Sequence, residues 1–287
     1  ALKGHRTVKY ILPASDFNLE HTLECGQAFR WEGKGGHYSG VIGDALIRVS
    51  HRGGKLLVES GAPVGKERLA DYFGLNEDLP SIYRHIGKDP HIRKAIKRFH
   101  GLRILNQDRW ECLASFILSS YTNIPRIKKM IAGLSRRFGK RVTLGDDENF
   151  SFPSAAAIAK ADIRTLKSLG LGFRAGYIKE TAGRIAAKGI DLDAAEDLNY
   201  EQSKARLVSL KGVGEKVADC VLLFSFKKYE AFPVDVWIKR GIEKLYFNGR
   251  TVSPAEAADF ARKRFGPYAG YAQEYLYHYL RHERGQG

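Results

Sequence analysis

A lysine at the start of a helix is the first residue in this sequence whose position could support chemistry. The segment LKGVGEKVADC places Gly212 and Gly214 in a turn between two stretches of helical spacing and puts Lys216 in the first turn of the second stretch. The N-terminal end of a helix disfavours a cation, so this position favours a neutral amine, which is a nucleophile. A solvated lysine with no chemical role would show the same pattern, so its neighbours must decide.

The glycine turn itself could hold a DNA phosphate. Backbone N–H groups at a helix start can bind an anion, and glycine permits left-handed backbone angles and close approach of a strand. We therefore expect Gly212, Val213 and Gly214 to contact DNA. A plain helix C-cap also explains a Gly-x-Gly sequence.

Two further side chains could share a pocket with Lys216. Cys220 lies one helical turn later on the same face, and Asp235, in the segment FPVDVW, precedes a helix that a turn can bring back beside the lysine. Asp235 is also suited to cap the helix that begins at Val236, and both roles are compatible because capping fixes the carboxylate. Cys220 alone is more often a small buried apolar residue than a functional thiol.

Two hydrophobic patterns predict the elements that position these side chains. Short alternating segments at 37–42, 45–50 and 55–60, separated by glycine turns, predict an antiparallel meander whose faces need cover, for example from a helix at 66–75. From about Asp108 onward apolar residues recur at helical spacing, which predicts a bundle with short connections.

These patterns predict an α+β fold with two domains. We expect an N-terminal antiparallel β-sheet domain over residues 1–100, packed on a mainly α-helical region over residues 101–287. The helical region should contain a helix-hairpin-helix near residues 204–226 and form two helical subdomains.

The composition restricts the possible partners. Lys and Arg number 47 against 32 Asp and Glu, a net charge of +15, which indicates a polyanionic partner. The three cysteines have no C-x-x-C spacing, which argues against a disulfide framework and a four-cysteine metal or iron–sulfur site. The sequence shows neither a membrane-spanning apolar run nor a secretory signal, so we expect an intracellular protein without a membrane partner.

Taken together, LKGVGEKVADC and FPVDVW resemble the helix-hairpin-helix, Gly/Pro-rich, aspartate superfamily of DNA glycosylases. Within it, the chain resembles the 8-oxoguanine DNA glycosylase family through CGQAFRW at 25–31, SSYTNIPRI at 119–127, SLGLGFRAGYI at 168–178 and GPYAGYAQEYLYHYL at 266–280. Separate blocks in the same order are far more specific than one glycine turn. The resemblance implies a bifunctional repair glycosylase and AP lyase that flips 8-oxoguanine out of duplex DNA, excises it through a lysine Schiff base and nicks the strand by β-elimination.

The resemblance also implies roles for the catalytic and base-binding residues. Lys216 matches the nucleophile and Asp235 the catalytic carboxylate. Gly26 matches the position whose backbone carbonyl accepts from N7–H, a donor that 8-oxoguanine has and guanine lacks. Gln273 matches the residue that binds the Watson–Crick edge, and the base is held between two sides that match Cys220 and Tyr277.

Further residues match positions that contact DNA. Phe173 resembles the wedge that fills the gap left by an extruded base, and Arg126 and Arg174 resemble residues that contact the partner cytosine. Tyr121 and Trp237 occupy positions where the family often has asparagine and histidine, so they bear on partner-base selectivity and on one phosphate contact. We also expect Asn123, in the same segment as Tyr121, to contact DNA. For the two arginines, nonspecific phosphate binding is the simpler alternative.

The implied partner is double-stranded DNA that contains 8-oxoguanine opposite cytosine. We expect a monomer that needs no redox cofactor or catalytic metal, with a possible monovalent cation bound by carbonyl groups of the hairpin. The location would be the cytoplasm and nucleoid of a prokaryote or the nucleus of a eukaryote.

Two alternatives remain at this point. One is a glycosylase of the same scaffold that acts on another damaged or mispaired purine, although a lysine nucleophile argues against its monofunctional versions. The other is a noncatalytic helix-hairpin-helix DNA-binding protein, which would explain the charge and the hairpin but would not need Lys216 and Asp235 together.

Overall fold

The structure, a computed structural model, describes residues 7–284 and consists of an antiparallel sheet packed against an array of helices. The strands are β1 (Val8–Pro13), β2 (Glu32–Lys34), β3 (His37–Ile42), β4 (Ala45–Arg52), β5 (Lys55–Ser60), β6 (Arg141–Leu144) and β7 (Asp147–Phe150). The helices are α1 (Leu19–Glu24), α2 (Lys66–Tyr72), α3 (Leu79–Ile86), α4 (Pro90–Arg98), α5 (Arg109–Leu118), α6 (Ile124–Phe138), α7 (Ala155–Lys160), α8 (Ile163–Leu166), α9 (Arg174–Ala186), α10 (Tyr200–Val208), α11 (Glu215–Ser225), α12 (Val236–Tyr246), α13 (Pro254–Phe265) and α14 (Ala269–Arg284). A π-helical turn at Lys167–Leu171 precedes α9. The predicted α+β fold is confirmed.

The N-terminal sheet has the strand order β1-β5-β4-β3-β2, with every neighbouring pair antiparallel. The three strands of the predicted meander are β3, β4 and β5, and α2 lies over one face as expected. Sequence reasoning missed the two edge strands β1 and β2. β2 has three residues, all exposed, so no alternating pattern marks it.

A second, small sheet interrupts the mainly helical region that follows Asp108, and the sequence analysis did not predict it. β6 and β7 form a hairpin, and its Val142 and Leu144 pack on Val41 and Leu46 of the first sheet. This hairpin covers the sheet face opposite α2. Its sequence escaped notice because β7 presents mostly polar, exposed residues.

Side chains cap most of the helices that form the rest of the chain. Asp, Asn and Ser at these starts accept a hydrogen bond from a backbone N–H group of the first turn, which satisfies donors that a helix leaves free. The capping residues are Asn18, Asp78, Asp89, Asp108, Asn123, Ser154, Asp162, Asn199, Asp235 and Ser253.

The buried apolar residues form two main clusters. One lies between the sheet, α1 and α2, and the other joins the helices from α3 to α14. Helices α3 and α4 fall within residues 1–100 of the predicted N-terminal domain, yet their apolar faces belong to the helical cluster. Among residues 7–284, no helix combines the length and the apolar character needed to cross a membrane.

Candidate active site

The hairpin between α10 and α11 places Lys216 at the start of α11. Gly212 has φ +80°, and a Cβ there would lie 2.7 Å from the ring of Tyr177, so glycine is required at this position. Gly214 has extended backbone with φ −94° and stands at the N-cap of α11. The side chain of Val213 is buried, so only its backbone could contact a phosphate. Lys216 lies in the first turn of α11, as predicted.

Lys216 and Asp235 line the same cavity although they belong to different helices. The Nζ atom of Lys216 lies 5.4 Å from the centroid of the Phe116 ring. Oδ1 of Asp235 accepts a hydrogen bond from the Ile238 N–H group at 2.8 Å. The carboxylate therefore caps α12 and lines the cavity of the lysine, and capping holds it in one place.

The cavity has an outer and an inner part. The outer part, of about 420 Å³, is lined by Lys216, Asp235, Gly26 and Tyr277. The inner part, of about 50 Å³, is lined by the same four residues and extends toward α14.

The four residues predicted to bind the base all line this inner part. Cys220 and Gln273 are buried, at 3% and 5% exposure, and Gly26 and Tyr277 lie between the inner and outer parts. Oε1 of Gln273 is fully buried, and within residues 7–284 no group hydrogen bonds to it. Leaving a buried polar atom unpaired is costly, so this oxygen is free to accept from a ligand.

The segment that contains Gly26 is fixed by its neighbour Gln27. The Gln27 amide donates to the carbonyl groups of Thr22 and Arg103, both at 2.8 Å. Its oxygen accepts from the Leu105 N–H group at 2.8 Å. Gly26 has φ +103°, a backbone conformation that favours glycine. These bonds hold a left-handed turn at the cavity wall.

Burial keeps the two sides of the inner cavity uncharged. It raises the pKa of Cys220 to about 12, although the nearby Lys216 opposes this shift. Burial also raises the pKa of Tyr277, against the effect of Arg281. A neutral thiol and a neutral phenol present polarisable, uncharged surfaces, which suit the two faces of a flat base.

A second predicted group forms an exposed surface, here called the aromatic ridge and defined by Tyr121, Phe173 and Arg126. Tyr121 is 96% exposed and Phe173 52% exposed, and their ring centroids lie 6.5 Å apart. Tyr121 has φ +50°, which is unusual for a residue with a side chain. Arg126 is exposed in the first turn of α6. Exposed aromatic side chains of this kind could insert between bases.

Arg174, predicted to contact the partner cytosine, hydrogen bonds to backbone groups of the chain. It is 9% exposed, and its guanidinium donates to the backbone carbonyl groups of Ser120 and Tyr121, at 2.8 and 3.1 Å. A longer bond of 3.4 Å reaches the Leu171 carbonyl. In this structure Arg174 therefore holds the segment before α6 in place, and most of its donors are already used.

Asn123 and Trp237 lie at the outer part of the cavity. Oδ1 of Asn123 accepts from the Arg126 N–H group at 3.1 Å and caps α6, so a structural role accompanies the predicted DNA contact. Trp237, in the first turn of α12, is 38% exposed. A DNA backbone at the mouth of the cavity would meet both side chains.

Sequence reasoning missed several residues that line the inner cavity. Phe116 and Pro233 contribute apolar surface, and nothing in the sequence separates Phe116 from other apolar positions of α5. Glu274 is the unexpected member, since a carboxylic acid at 2% exposure lies next to Gln273 on α14. A charged residue inside the aromatic stretch GYAQEYLY was a sequence signal that could have found it. Among residues 7–284, no group of three or more His, Cys, Asp or Glu side chains is arranged to hold a metal ion.

Two family models match the chain. The model described as 8-oxoguanine DNA glycosylase, N-terminal domain, matches residues 9–113. The model described as HhH-GPD superfamily base excision DNA repair protein matches residues 114–267.

Similar proteins match over nearly the full length. A probable N-glycosylase/DNA lyase of Methanothermobacter thermautotrophicus is 31% identical, over 94% of this chain and 95% of that protein. The structure of MBOgg1 in complex with a low-affinity DNA ligand has a TM-score of 0.93 and 38% identity, over 99% of this chain and 98% of that chain. The 8-oxoguanine glycosylase/lyase of Clostridium acetobutylicum, in complex with DNA containing cytosine opposite 8-oxoguanine, has a TM-score of 0.89 and 33% identity, over 96% of this chain and 98% of that chain.

Proposed function

The chain belongs to the 8-oxoguanine DNA glycosylase family of the helix-hairpin-helix superfamily, and we propose that Lys216 and Asp235 perform its chemistry. The protein is a bifunctional N-glycosylase and AP lyase that acts on 8-oxoguanine in duplex DNA. The observation that supports the residue assignment is the single cavity in which Lys216, Asp235 and the four base-binding residues meet.

Excision begins with a base outside the duplex, because stacked neighbours block access to C1′. Phe173 of the aromatic ridge enters the space that the base leaves. The base moves between Cys220 and Tyr277, with its Watson–Crick edge toward Gln273. The carbonyl group of Gly26 accepts from N7–H of 8-oxoguanine and faces an acceptor on guanine, which leaves guanine with an unpaired buried group.

The chemical steps need only the lysine and the carboxylate. The amine of Lys216 attacks C1′, and the bond from C1′ to the base breaks with its electron pair leaving on the base. Asp235 stabilises the positive charge that develops on the sugar. The sugar ring opens to a Schiff base between Lys216 and C1′. Loss of a proton from C2′ then expels the 3′ phosphate by β-elimination, which nicks the strand.

One assay tests this function directly. Duplexes that contain 8-oxoguanine opposite each normal base are incubated with the protein, and base release is measured separately from strand scission. We expect both products, and borohydride should trap a covalent complex. Release of another damaged purine in preference to 8-oxoguanine would contradict the substrate, and duplex binding without either product would contradict the catalytic assignment.

We also propose that cytosine is the preferred partner base. Arg126 offers several donors on an exposed helix start, and cytosine presents O2 and N3 as acceptors. A groove of about 670 Å³ lined by Arg126, Lys129 and Arg136 runs beside the aromatic ridge and would face the second strand. The partner preference is tested by the ratio of excision rates opposite cytosine and adenine.

Three further expectations remain proposals. The chain acts as a monomer, which sedimentation of the free protein and its DNA complex would test. It is located with the genomic DNA, in the cytoplasm and nucleoid of a prokaryote or the nucleus of a eukaryote, which imaging of a tagged protein would test. Carbonyl groups of the hairpin bind a monovalent cation when DNA is present, which replacement of potassium by a bulky organic cation during binding would test.

A further inference from the structure

Glu274 is a buried acid in the base pocket for which the catalytic scheme has no use. It follows Gln273 on α14, is 2% exposed and lines the same inner cavity as Lys216 and Cys220. Buried carboxyl groups are rare unless another group pairs with them. Its position in the pocket therefore indicates a function in binding the base.

One oxygen of the Glu274 carboxyl group is buried without a partner in the described part of the chain, and the residue itself lines the inner cavity. Oε1 of Glu274 is fully buried and has no hydrogen-bond partner among the described residues, and the same holds for Oε1 of Gln273. Two consecutive residues thus place two unpaired acceptors at one small cavity. An arrangement of this kind is unfavourable in the empty protein and becomes favourable when a ligand supplies donors.

Charged and titratable groups face Glu274 from each neighbouring element. They are Cys25 after α1, Lys216 and Cys220 on α11, Asp235 before α12, and Tyr277 and Arg281 on α14. Burial raises the pKa of Glu274 to about 7, while the contact with the Cys25 thiol and the positive charges of Arg281 and Lys216 act in the opposite direction. The group is therefore poised between its acid and carboxylate forms at neutral pH.

The donor pattern of guanine complements these acceptors. The Watson–Crick edge of guanine carries two neighbouring donor groups, N1–H and the 2-amino group, whereas adenine presents an acceptor at N1 and has no 2-amino group. We propose that Glu274 is a specificity-determining residue whose carboxylate accepts a hydrogen bond from the 2-amino group of the flipped base, beside Gln273. This inference rests on the proposed function, because it assumes that an oxidised guanine enters this pocket.

The assignment divides recognition between two walls of the pocket. The Gly26 carbonyl distinguishes 8-oxoguanine from guanine at N7, which says nothing about the opposite edge. Glu274 and Gln273 distinguish guanine-type bases from other purines, whether oxidised or not. An 8-oxidised purine without the 2-amino group would leave Glu274 unpaired and be excised slowly.

The test compares two bases that differ by one donor. Single-turnover excision is measured on duplexes that contain 8-oxoguanine or 8-oxohypoxanthine, which lacks the 2-amino group, each opposite cytosine. For the wild type we expect 8-oxoguanine to be excised about tenfold faster or more. In Glu274→Leu the 8-oxoguanine rate should fall by about tenfold and the ratio between the bases should shrink by about fivefold or more. Glu274→Gln, which retains one acceptor oxygen, should lie between them.

Controls separate recognition from folding and from the proposed function. Borohydride trapping on an abasic duplex reports folded protein and Lys216 chemistry, so all rates are expressed relative to it. Glu111→Gln changes a partly buried carboxyl group, which pairs with Arg30 at 3.1 Å outside the pocket, and should keep the wild-type ratio. If the wild type releases no 8-oxoguanine, the proposed function fails before any variant is compared.

The pH dependence supplies a second readout. The ratio of the two rates cancels every pH effect that both substrates share. As pH rises through the Glu274 pKa of about 7, the carboxylate forms and the wild-type ratio should rise, whereas in Glu274→Gln it should stay flat. A wild-type ratio near one, or Leu and Gln variants that keep the wild-type ratio, would overturn the role of Glu274.

Discussion

The base pocket and the aromatic ridge are built in opposite ways. In the pocket Cys220, Gln273 and Glu274 are almost completely buried, and their positions follow from helices packed in one core. On the ridge Tyr121 and Phe173 are exposed, next to a backbone held by the guanidinium of Arg174. The pocket has unpaired buried polar atoms, and the ridge has exposed apolar surface.

This difference indicates that the two regions have different functions. An unpaired buried acceptor discriminates strongly, because a ligand without the matching donor leaves it unpaired. Exposed aromatic rings gain by stacking on any base, so they open the duplex without selecting a sequence. Changes in the pocket should therefore affect chemistry and base identity, and changes on the ridge should affect access to the base.

The largest expected effect tests the pocket. Lys216→Gln removes the nucleophilic amine, and we expect base excision to fall by roughly 10³-fold or more with loss of borohydride trapping. Duplex binding should persist, because the hairpin and the basic surface remain. The measurements are single-turnover excision, covalent trapping and duplex affinity.

The control for this variant is Lys94→Gln, an exposed lysine on α4. It removes the same charge away from the cavity and should leave excision and trapping unchanged. Undiminished trapping by Lys216→Gln would place the nucleophile on another residue.

The second largest expected effect distinguishes two roles of Asp235, which are capping α12 and stabilising the sugar cation. Asparagine caps helices about as well as aspartate, so Asp235→Asn should keep α12 intact while it removes the charge that stabilises the sugar cation. We expect excision to fall by about 10²-fold, with a much smaller change in affinity. Thermal unfolding recorded beside the rates separates these roles.

Asp78→Asn makes the same change at the cap of α3, where Oδ1 accepts from the Ser81 N–H group at 3.1 Å. It should leave excision unchanged. A large loss of fold stability in Asp235→Asn, with excision reduced only in proportion, would assign Asp235 a capping role alone.

The same contrast between regions explains how much the sequence could predict. Helix starts such as Asp235 and the turn at Gly212 have local signatures, because capping and positive φ depend on a few adjacent residues. The meander was predicted from its alternation, whereas β2 and β7, which are mostly exposed, had no such pattern. Family resemblance supplied Gly26 and Tyr277, which periodicity alone would have placed in a turn and a core stripe.

What could not be predicted depends on tertiary contacts. Arg174 hydrogen bonds to the carbonyl groups of Ser120 and Tyr121, which belong to a segment distant in sequence. Glu274 lines the base pocket and has one buried oxygen without a hydrogen-bond partner within residues 7–284, and both properties depend on how α14 packs in the core. Neither property is encoded in the residues adjacent to it in sequence.

The third effect tests the ridge. Phe173→Ala removes the ring that fills the gap in the stack, and we expect excision from an intact duplex to fall by about tenfold. With 8-oxoguanine in a bubble of unpaired nucleotides the loss should be much smaller, because no paired base has to be extruded. Ile11→Ala, at a 57% exposed apolar residue on β1, is the matched control and should have no effect on either substrate. Equal losses on duplex and bubble would place Phe173 in the chemistry instead of the opening step.

The smallest expected effect concerns the partner base and tests whether the aromatic ridge also selects cytosine at that position. If Arg126 donates to O2 and N3 of cytosine, Arg126→Ala should narrow the ratio of excision opposite cytosine to that opposite adenine by about fivefold. If Arg126 contacts only phosphate, both rates should fall equally.

The control is Lys129→Ala, which removes an exposed cation on the same helix and in the same groove. Its effect shows how the two rates change when only a phosphate contact is lost. Both variants are compared with the wild type at one fixed salt concentration, since salt alters affinity without reporting base recognition. An unchanged ratio would contradict the role of Arg126 in reading the partner base.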